Sequence, residues 1–153
     1  MALRVTMDAE ASTVTARGGP RLEPASLEQG SAFLQAAGLI LDEITAARVT
    51  GHLLLGPGYH TPWGIVHGGV YTTAVESAAS VGASAAVRDR GQVAVGLTNT
   101  THFLRPVAEG RVNVEAVALS QGRTHQLWRV DVTDESGKLV AHGEVRLQNV
   151  AGT

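Results

Sequence analysis

The chain reads as α+β, an antiparallel sheet laid against one long central helix. Two stretches carry that reading. From Gly68 to Val87 a single charged residue, Glu76, stands among small, good helix formers, the composition of a helix buried on nearly every side. After the turn at Asp89-Arg90-Gly91 the chain instead alternates apolar and polar residues with a period of two, as strands do when one face meets a core and the other meets water.

Taken in order, residues 1–25 mix Thr, Ala, Arg, Gly, Pro and Glu without a helix or strand period. They are expected to form a flexible N-terminal arm ahead of one domain spanning 26–150. Ser26 can cap a short helix that runs to Ala37 and ends at Gly38, with Phe33 and Leu34 as its buried side. Leu39 to Ile44 and Val49 to Leu55 read as two strands joined at Thr45-Ala46-Ala47, and Gly56-Pro57-Gly58 breaks the second. A loop through Tyr59, His60, Thr61 and Pro62 leads to the long helix. That helix starts near Gly68, where the Gly68-Gly69 pair lets the backbone turn and approach another group closely. Its Ala78, Ala79, Gly82, Ala83, Ala85 and Ala86 leave room for a sheet to come close. Beyond it, Val93, Val95 and Leu97 share one expected core face, and Val112, Val114, Ala116 and Ala118 another. Trp128, Val130 and Val132 alternate with Arg129 and Asp131. Leu139, Ala141, Val145 and Leu147 alternate with His142, Glu144, Arg146 and Gln148. Pro106 to Gly110, Ser120 to Gly122 and Asp134 to Gly137 read as hairpin-like connections.

With 153 residues, 44% of them apolar, the chain can bury one sizeable core and not two. A net charge of −2 and a pI near 6.3 supply no basic field for nucleic acid. With no cysteine there is no disulfide framework, thiolate nucleophile or cysteine metal site. No apolar run approaches a membrane span, and Met1 to Thr6 lack the apolar stretch of a signal peptide. The expectation is a soluble, cytoplasmic protein without a membrane or nucleic-acid partner.

Chemistry concentrates in the long helix. A solvated stripe around Glu76 would repeat its charge one and two turns on, yet positions 79, 80 and 83 are Ala, Ser and Ala. A carboxylate inside the protein, kept for chemistry, fits better. Ser80, one turn on, can bond Glu76 or hold a water beside it. His67 either takes part in catalysis or fixes the loop through a backbone hydrogen bond, and the sequence weighs these equally. Six histidines, at 52, 60, 67, 102, 125 and 142, are scattered without ligand spacing, so no metal is expected. There is no Gly-x-Ser-x-Gly elbow, phosphate-cradling loop, dinucleotide fingerprint or His-Glu-x-x-His.

The run Trp63-Gly64-Ile65-Val66-His67-Gly68-Gly69-Val70-Tyr71 with an acid at Glu76, followed by Val95-Gly96-Leu97-Thr98-Asn99-Thr100-Thr101-His102-Phe103-Leu104-Arg105-Pro106-Val107, resembles the hotdog-fold acyl-CoA thioesterases, and within them the hydroxybenzoyl-CoA and phenylacetyl-CoA type. The likeness covers about residues 31–148. It implies the hotdog fold, a sheet wrapped around one helix, and pairing of subunits into a homodimer and a dimer of dimers. It implies Glu76, Gly68, Ser80 and His67 as catalytic residues. Gly69, Thr61, Asn99, Arg105, Arg123 and Thr124 would face acyl-CoA, with Arg105, Arg123 and Thr124 as phosphate or pantetheine contacts. CoA is then part of the substrate, and no separate cofactor is implied. Relatives often carry Gln where this chain has Thr61, which places a water-holding role there in question, and with it an aromatic acyl group.

Spacing adds a constraint of its own. Thioester hydrolysis needs a donor for the developing oxyanion and a base or nucleophile at the carbonyl carbon. Gly68 offers a backbone N–H with the helix dipole behind it, and Glu76 offers the carboxylate. Eight residues along one helix separate them by about 12 Å, too far to serve one carbonyl. Gly68 of one subunit must therefore meet Glu76 of another across a twofold interface. The leading reading is a thioesterase that releases free acid and CoA from an aromatic or medium-chain acyl-CoA. A non-catalytic domain that binds acyl-CoA, with Glu76 as a structural acid, is the alternative. A dehydratase or hydratase acting on acyl thioesters is a third.

Overall fold

The structure is a computed structural model that describes residues 30–152. The arm expected over residues 1–25 and the cap expected at Ser26 lie outside them. Helix α1 (Ala32–Ala37) is capped by the Ser31 hydroxyl, which accepts from the Leu34 N–H at 3.4 Å, and it ends at Gly38 in the left-handed region. The long helix α2 (Gly68–Val87) begins where the double glycine places it. Strands β1 (Ile40–Ile44), β2 (Arg48–Leu55), β3 (Gln92–Phe103), β4 (Gly110–Gln121), β5 (His125–Asp134) and β6 (Leu139–Ala151) form one sheet. Their order is β1-β2-β4-β5-β6-β3, and every pairing is antiparallel. Helix α2 lies against the sheet, touching β3, β4, β6, β5 and β2. The core between them is aliphatic apart from Tyr71 and Trp128.

The small residues of α2 are there for this packing. A Cβ on Gly82 would overlap the Trp128 ring and stand 2.9 Å from Val49 Cγ2. A Cβ on Gly143, in β6, would stand 2.6 Å from Val75 Cγ1. Small residues on one surface leave room for large side chains of the other, Gly82 for Trp128 and Gly143 for Val75, so burial is dense although the helix residues are small.

Three expectations fail. Phe33 is 66% exposed and does not form a buried side of α1. The stretch Pro106 to Gly110 is not a hairpin. Strand β3 pairs with β6 at the sheet edge, while β4 pairs with β2 and β5. The chain leaving β3 must therefore cross the end of the sheet. On the way the N–H groups of Leu104 and Arg105 donate to the Val140 carbonyl at 2.8 and 3.2 Å, and Val107 O accepts from the Val66 N–H at 2.8 Å. Finally, Val95 and Leu97 face solvent, whereas Ala94 is buried. A bulge between Gly96 and Thr98 then changes the parity of β3. Ala94 and Gly96 point inward before it, Asn99 and Thr101 after it, and period-two reading cannot carry across such an insertion.

Candidate active site

The bulge in β3 builds a seat for Glu76. Before it, Gly96 lies against the carboxylate so closely that a Cβ there would overlap Glu76 Oε1. After it, Asn99 Nδ2 donates to Glu76 Oε2 at 2.9 Å and to the Thr72 carbonyl at 3.2 Å. Thr101 Oγ1 donates to Asn99 Oδ1 at 2.7 Å, which orients the amide with its NH2 toward the acid. On the other oxygen, Ser80 Oγ donates to Glu76 Oε1 at 3.4 Å. In the single chain Glu76 is half-buried rather than enclosed, because it sits beneath the sheet edge. The result is a carboxylate held at both oxygens beside an open edge, able to accept a proton or attack a carbonyl.

The N-terminus of α2 forms a second cluster. His67 is its N-cap, and its Nδ1 accepts from the Gly69 N–H at 2.9 Å, while the His67 N–H donates to the Tyr59 carbonyl at 2.8 Å. Nδ1 is thus the unprotonated nitrogen, and the loop-fixing role is the one with a partner in the structure. The Gly69 N–H is thereby occupied. Among the described residues the Gly68 N–H has no acceptor, and it is the first of the helix's dipole-backed donors. Phe103 covers this residue: a Cβ on Gly68 would meet its ring at 2.7 Å, which explains the glycine.

The remaining residues expected to face acyl-CoA are dispersed. Thr61 closes a turn, accepting from the Trp63 N–H on its hydroxyl at 3.3 Å and donating its own N–H to Ile65 O at 2.7 Å. Arg105 is exposed where the chain leaves β3, and Arg123 and Thr124 are exposed between β4 and β5. Neither guanidinium makes an ion pair among the described residues. The twelve residues of β4 can span up to about 36 Å between these loops, so within one chain Arg105 and Arg123 lie at opposite ends of the sheet. One chain does bring together Glu76, Ser80 and Asn99, and Asn99 holds the acid. Sequence reading missed Gly96 and Thr101 in this seat. A glycine inside a strand was the available signal, since it marks a bulge or a close approach.

With this geometry in place, comparison with known proteins gives the class. Residues 64–141 match the thioesterase superfamily model. The chain is 38% identical over 129 residues to the Mycobacterium tuberculosis protein Rv1847, provisionally named an esterase, covering 83% of this chain and 92% of that one. Its solved structure superposes with a TM-score of 0.77 over 80% of this chain and 99% of that one. The crystal structure of AziG from S. sahachiroi is 36% identical, with a TM-score of 0.76 over 79% and 98% of the two chains. A 1,4-dihydroxy-2-naphthoyl-CoA thioesterase of Arabidopsis thaliana is 37% identical over 98 residues, 63% of this chain and 61% of that one. The chain belongs to the thioesterase superfamily and has its hotdog fold. It is a thioester hydrolase, which disfavours the non-catalytic alternative.

Proposed function

We propose that the protein hydrolyses an aromatic or medium-chain acyl-CoA to the free acid and CoA, with Glu76 as nucleophile or general base. The observation that carries this is the seated carboxylate, held by Asn99 and Ser80 in a space that Gly96 leaves open. The relative named for 1,4-dihydroxy-2-naphthoyl-CoA supports an aromatic acyl group. So does the apolar surface of Phe103, 55% exposed beside Gly68. As base, Glu76 takes a proton from water as the water oxygen bonds to the carbonyl carbon. As nucleophile, it forms an acyl anhydride that water then opens. In both routes the carbonyl oxygen gains charge, the Gly68 N–H stabilises it, and the C–S bond breaks to release CoA thiolate, which takes up the proton given up by the hydrolytic water. Neither route needs a further cofactor.

The site is shared between two subunits. Both groups lie on the unbroken α2, which supports the spacing argument for a partner. Strand β3 is an edge of twelve residues carrying exposed Val95, Leu97 and Phe103, the kind of edge that a second chain covers. Glu76 lies against Gly96 and Asn99, and Gly68 lies against Phe103. Antiparallel β3–β3 pairing that joins Gly68 to the partner's acid therefore has its twofold near Thr100, which sets Phe103 opposite Leu97. The same twofold brings the Arg105 end of one subunit toward the Arg123 end of the other, resolving their separation within one chain. A homodimer is the assembly this edge pairing implies; a dimer of dimers rests on the family resemblance alone.

Glu76→Gln keeps the shape and removes the charge. With acyl-CoA it should lower kcat by about three orders of magnitude or more while KM changes little, measured by release of CoA thiol. Wild-type turnover in this variant would sink the mechanism.

A further inference from the structure

Among the described residues, the buried polar side chains are Gln126 and Asn149, 2% and 7% exposed, and they form one network. Gln126 Nε2 donates to the Ala83 carbonyl of α2 at 2.9 Å and to Asn149 Oδ1 at 2.8 Å. Its Oε1 accepts from Trp128 Nε1 at 3.0 Å and Gln121 Nε2 at 3.3 Å. Two donors and two lone pairs are all that an amide has. Asn149 Nδ2 then donates to the carbonyls of Gly122 and Arg123 at 3.1 and 3.2 Å. The Asn149 backbone N–H donates to the Thr124 carbonyl at 2.8 Å. Three successive carbonyls of the β4–β5 turn are drawn onto one residue.

The trans peptide makes this consequential. The carbonyl of Gly122 shares a rigid plane with the N–H of Arg123, and the carbonyl of Arg123 with the N–H of Thr124, each pair pointing in opposite directions. Holding the two carbonyls on Asn149 turns the two N–H groups away from it. Neither N–H has an acceptor among the described residues, and Arg123, Thr124 and His125 are exposed. Adjacent backbone N–H groups beside a guanidinium that makes no ion pair form a donor set for a phosphate oxygen.

We propose that Asn149 and Gln126 are positioning residues: they hold the β4–β5 turn in a phosphate-accepting shape and tie it to the helix that carries Glu76. This deepens the acyl-CoA reading and rests on it for the identity of the phosphate. Ala83 lies two turns beyond Glu76, about 10 Å along α2, so the network also sets the spacing between the turn and the carboxylate. An apolar core would pack as well without the burden of satisfying two buried amides. What the amides add is control of the turn's backbone.

The test compares one acyl group carried on CoA and on pantetheine, which lacks the nucleotide. Asn149→Asp preserves size and the acceptor for Gln126 and loses the donors to Gly122 and Arg123. It should raise KM for acyl-CoA about tenfold, the loss of about one charge-assisted bond, with kcat and the KM for acyl-pantetheine nearly unchanged. Equal KM increases for both substrates would make the network merely structural and overturn the proposal. A second readout needs neither a variant nor turnover. Adenosine 3′,5′-bisphosphate titrated into 15N-labelled wild type should shift the amide signals of Arg123 and Thr124. A wild type that hydrolyses acyl-CoA without those shifts overturns this inference alone. A wild type inactive on acyl-CoA whose two amides still respond, with weaker affinity in Asn149→Asp, leaves this inference standing and sinks the acyl-CoA reading.

Discussion

Asn99 matters because a carboxylate must be aimed as well as present. Its amide is fixed from both ends, by Thr101 on Oδ1 and by Thr72 O and Glu76 on Nδ2. Asn99→Leu fills similar space without the bond. It should lower kcat by about ten- to a hundredfold through misplacement of Glu76, with KM little changed; unchanged kcat in steady-state assays would show that the acid orients itself. Tyr71 is a different case. It is 3% exposed, its hydroxyl has no partner among the described residues, and its ring lies 6.3 Å from that of Phe103. Burial pushes the phenol up to about 12. A folded value above the unfolded one, about 10, means that the neutral form is favoured in the fold. That contribution is complete below about pH 10 and lost as pH rises through 12. Tyr71→Phe removes the unpaired hydroxyl, so at pH 7 its Tm should equal or exceed wild type by about 2–4 °C, and it should lose less stability between pH 10 and 12. A marked fall at pH 7 would reveal a partner that the hydroxyl needs. Of these residues, Glu76 and Ser80 were legible in the sequence because a lone charge in an apolar helix stands out. Thr101 and Gly96 were not, since their role depends on which way a bulged strand faces.

At the scale of elements, α2 was legible to the residue and β3 was not. The helix is specified locally, by a double glycine at one end and twenty residues of compatible propensity. The face of β3 is specified by what it packs against, and the bulge at Gly96/Thr98 reverses it midway. Period-two reading also assigned β3 and β4 to a hairpin, because alternation reveals that a stretch is a strand and says nothing about its neighbour. The helix offers a direct test of packing against propensity. Gly82→Ala gains about 1 kcal/mol of helix propensity, yet its Cβ would overlap the Trp128 ring, which is fully buried and bonded through Nε1 to Gln126. Overpacking costs about 1–3 kcal/mol and should win. Urea unfolding should show a net loss of stability with an unchanged m-value, and a more stable variant would mean that the ring can move.

At the scale of the whole molecule, the question is whether Gly68 and Glu76 meet across a twofold, and two measurements answer it. The chain has no cysteine, so Thr100→Cys introduces a single thiol at the proposed axis, where Cα atoms of an antiparallel pair lie about 4.5–5.5 Å apart, within disulfide reach. Mild oxidation should give a covalent dimer that retains activity. Complementation tests the chemistry. Gly68→Pro removes the N–H, and proline suits the first residue of a helix. His67, at φ −66° and ψ 132°, already has the extended backbone that a following proline requires. A side chain at this position meets the Phe103 ring, 2.7 Å from where a Cβ would stand, so the ring must turn aside to admit the proline. A wild-type-like Tm is therefore the control that the variant folds, and with it met both this variant and Glu76→Ala should be nearly inactive alone. In a mixed dimer, the Gly68 of the Glu76→Ala chain meets the Glu76 of the Gly68→Pro chain, while the other site carries both defects. Co-refolded and isolated through different tags, mixed dimers should regain up to about half of wild-type activity if the sites act independently. Mixed dimers as inactive as their parents would place the two groups in separate sites and remove the shared oxyanion donor from the mechanism.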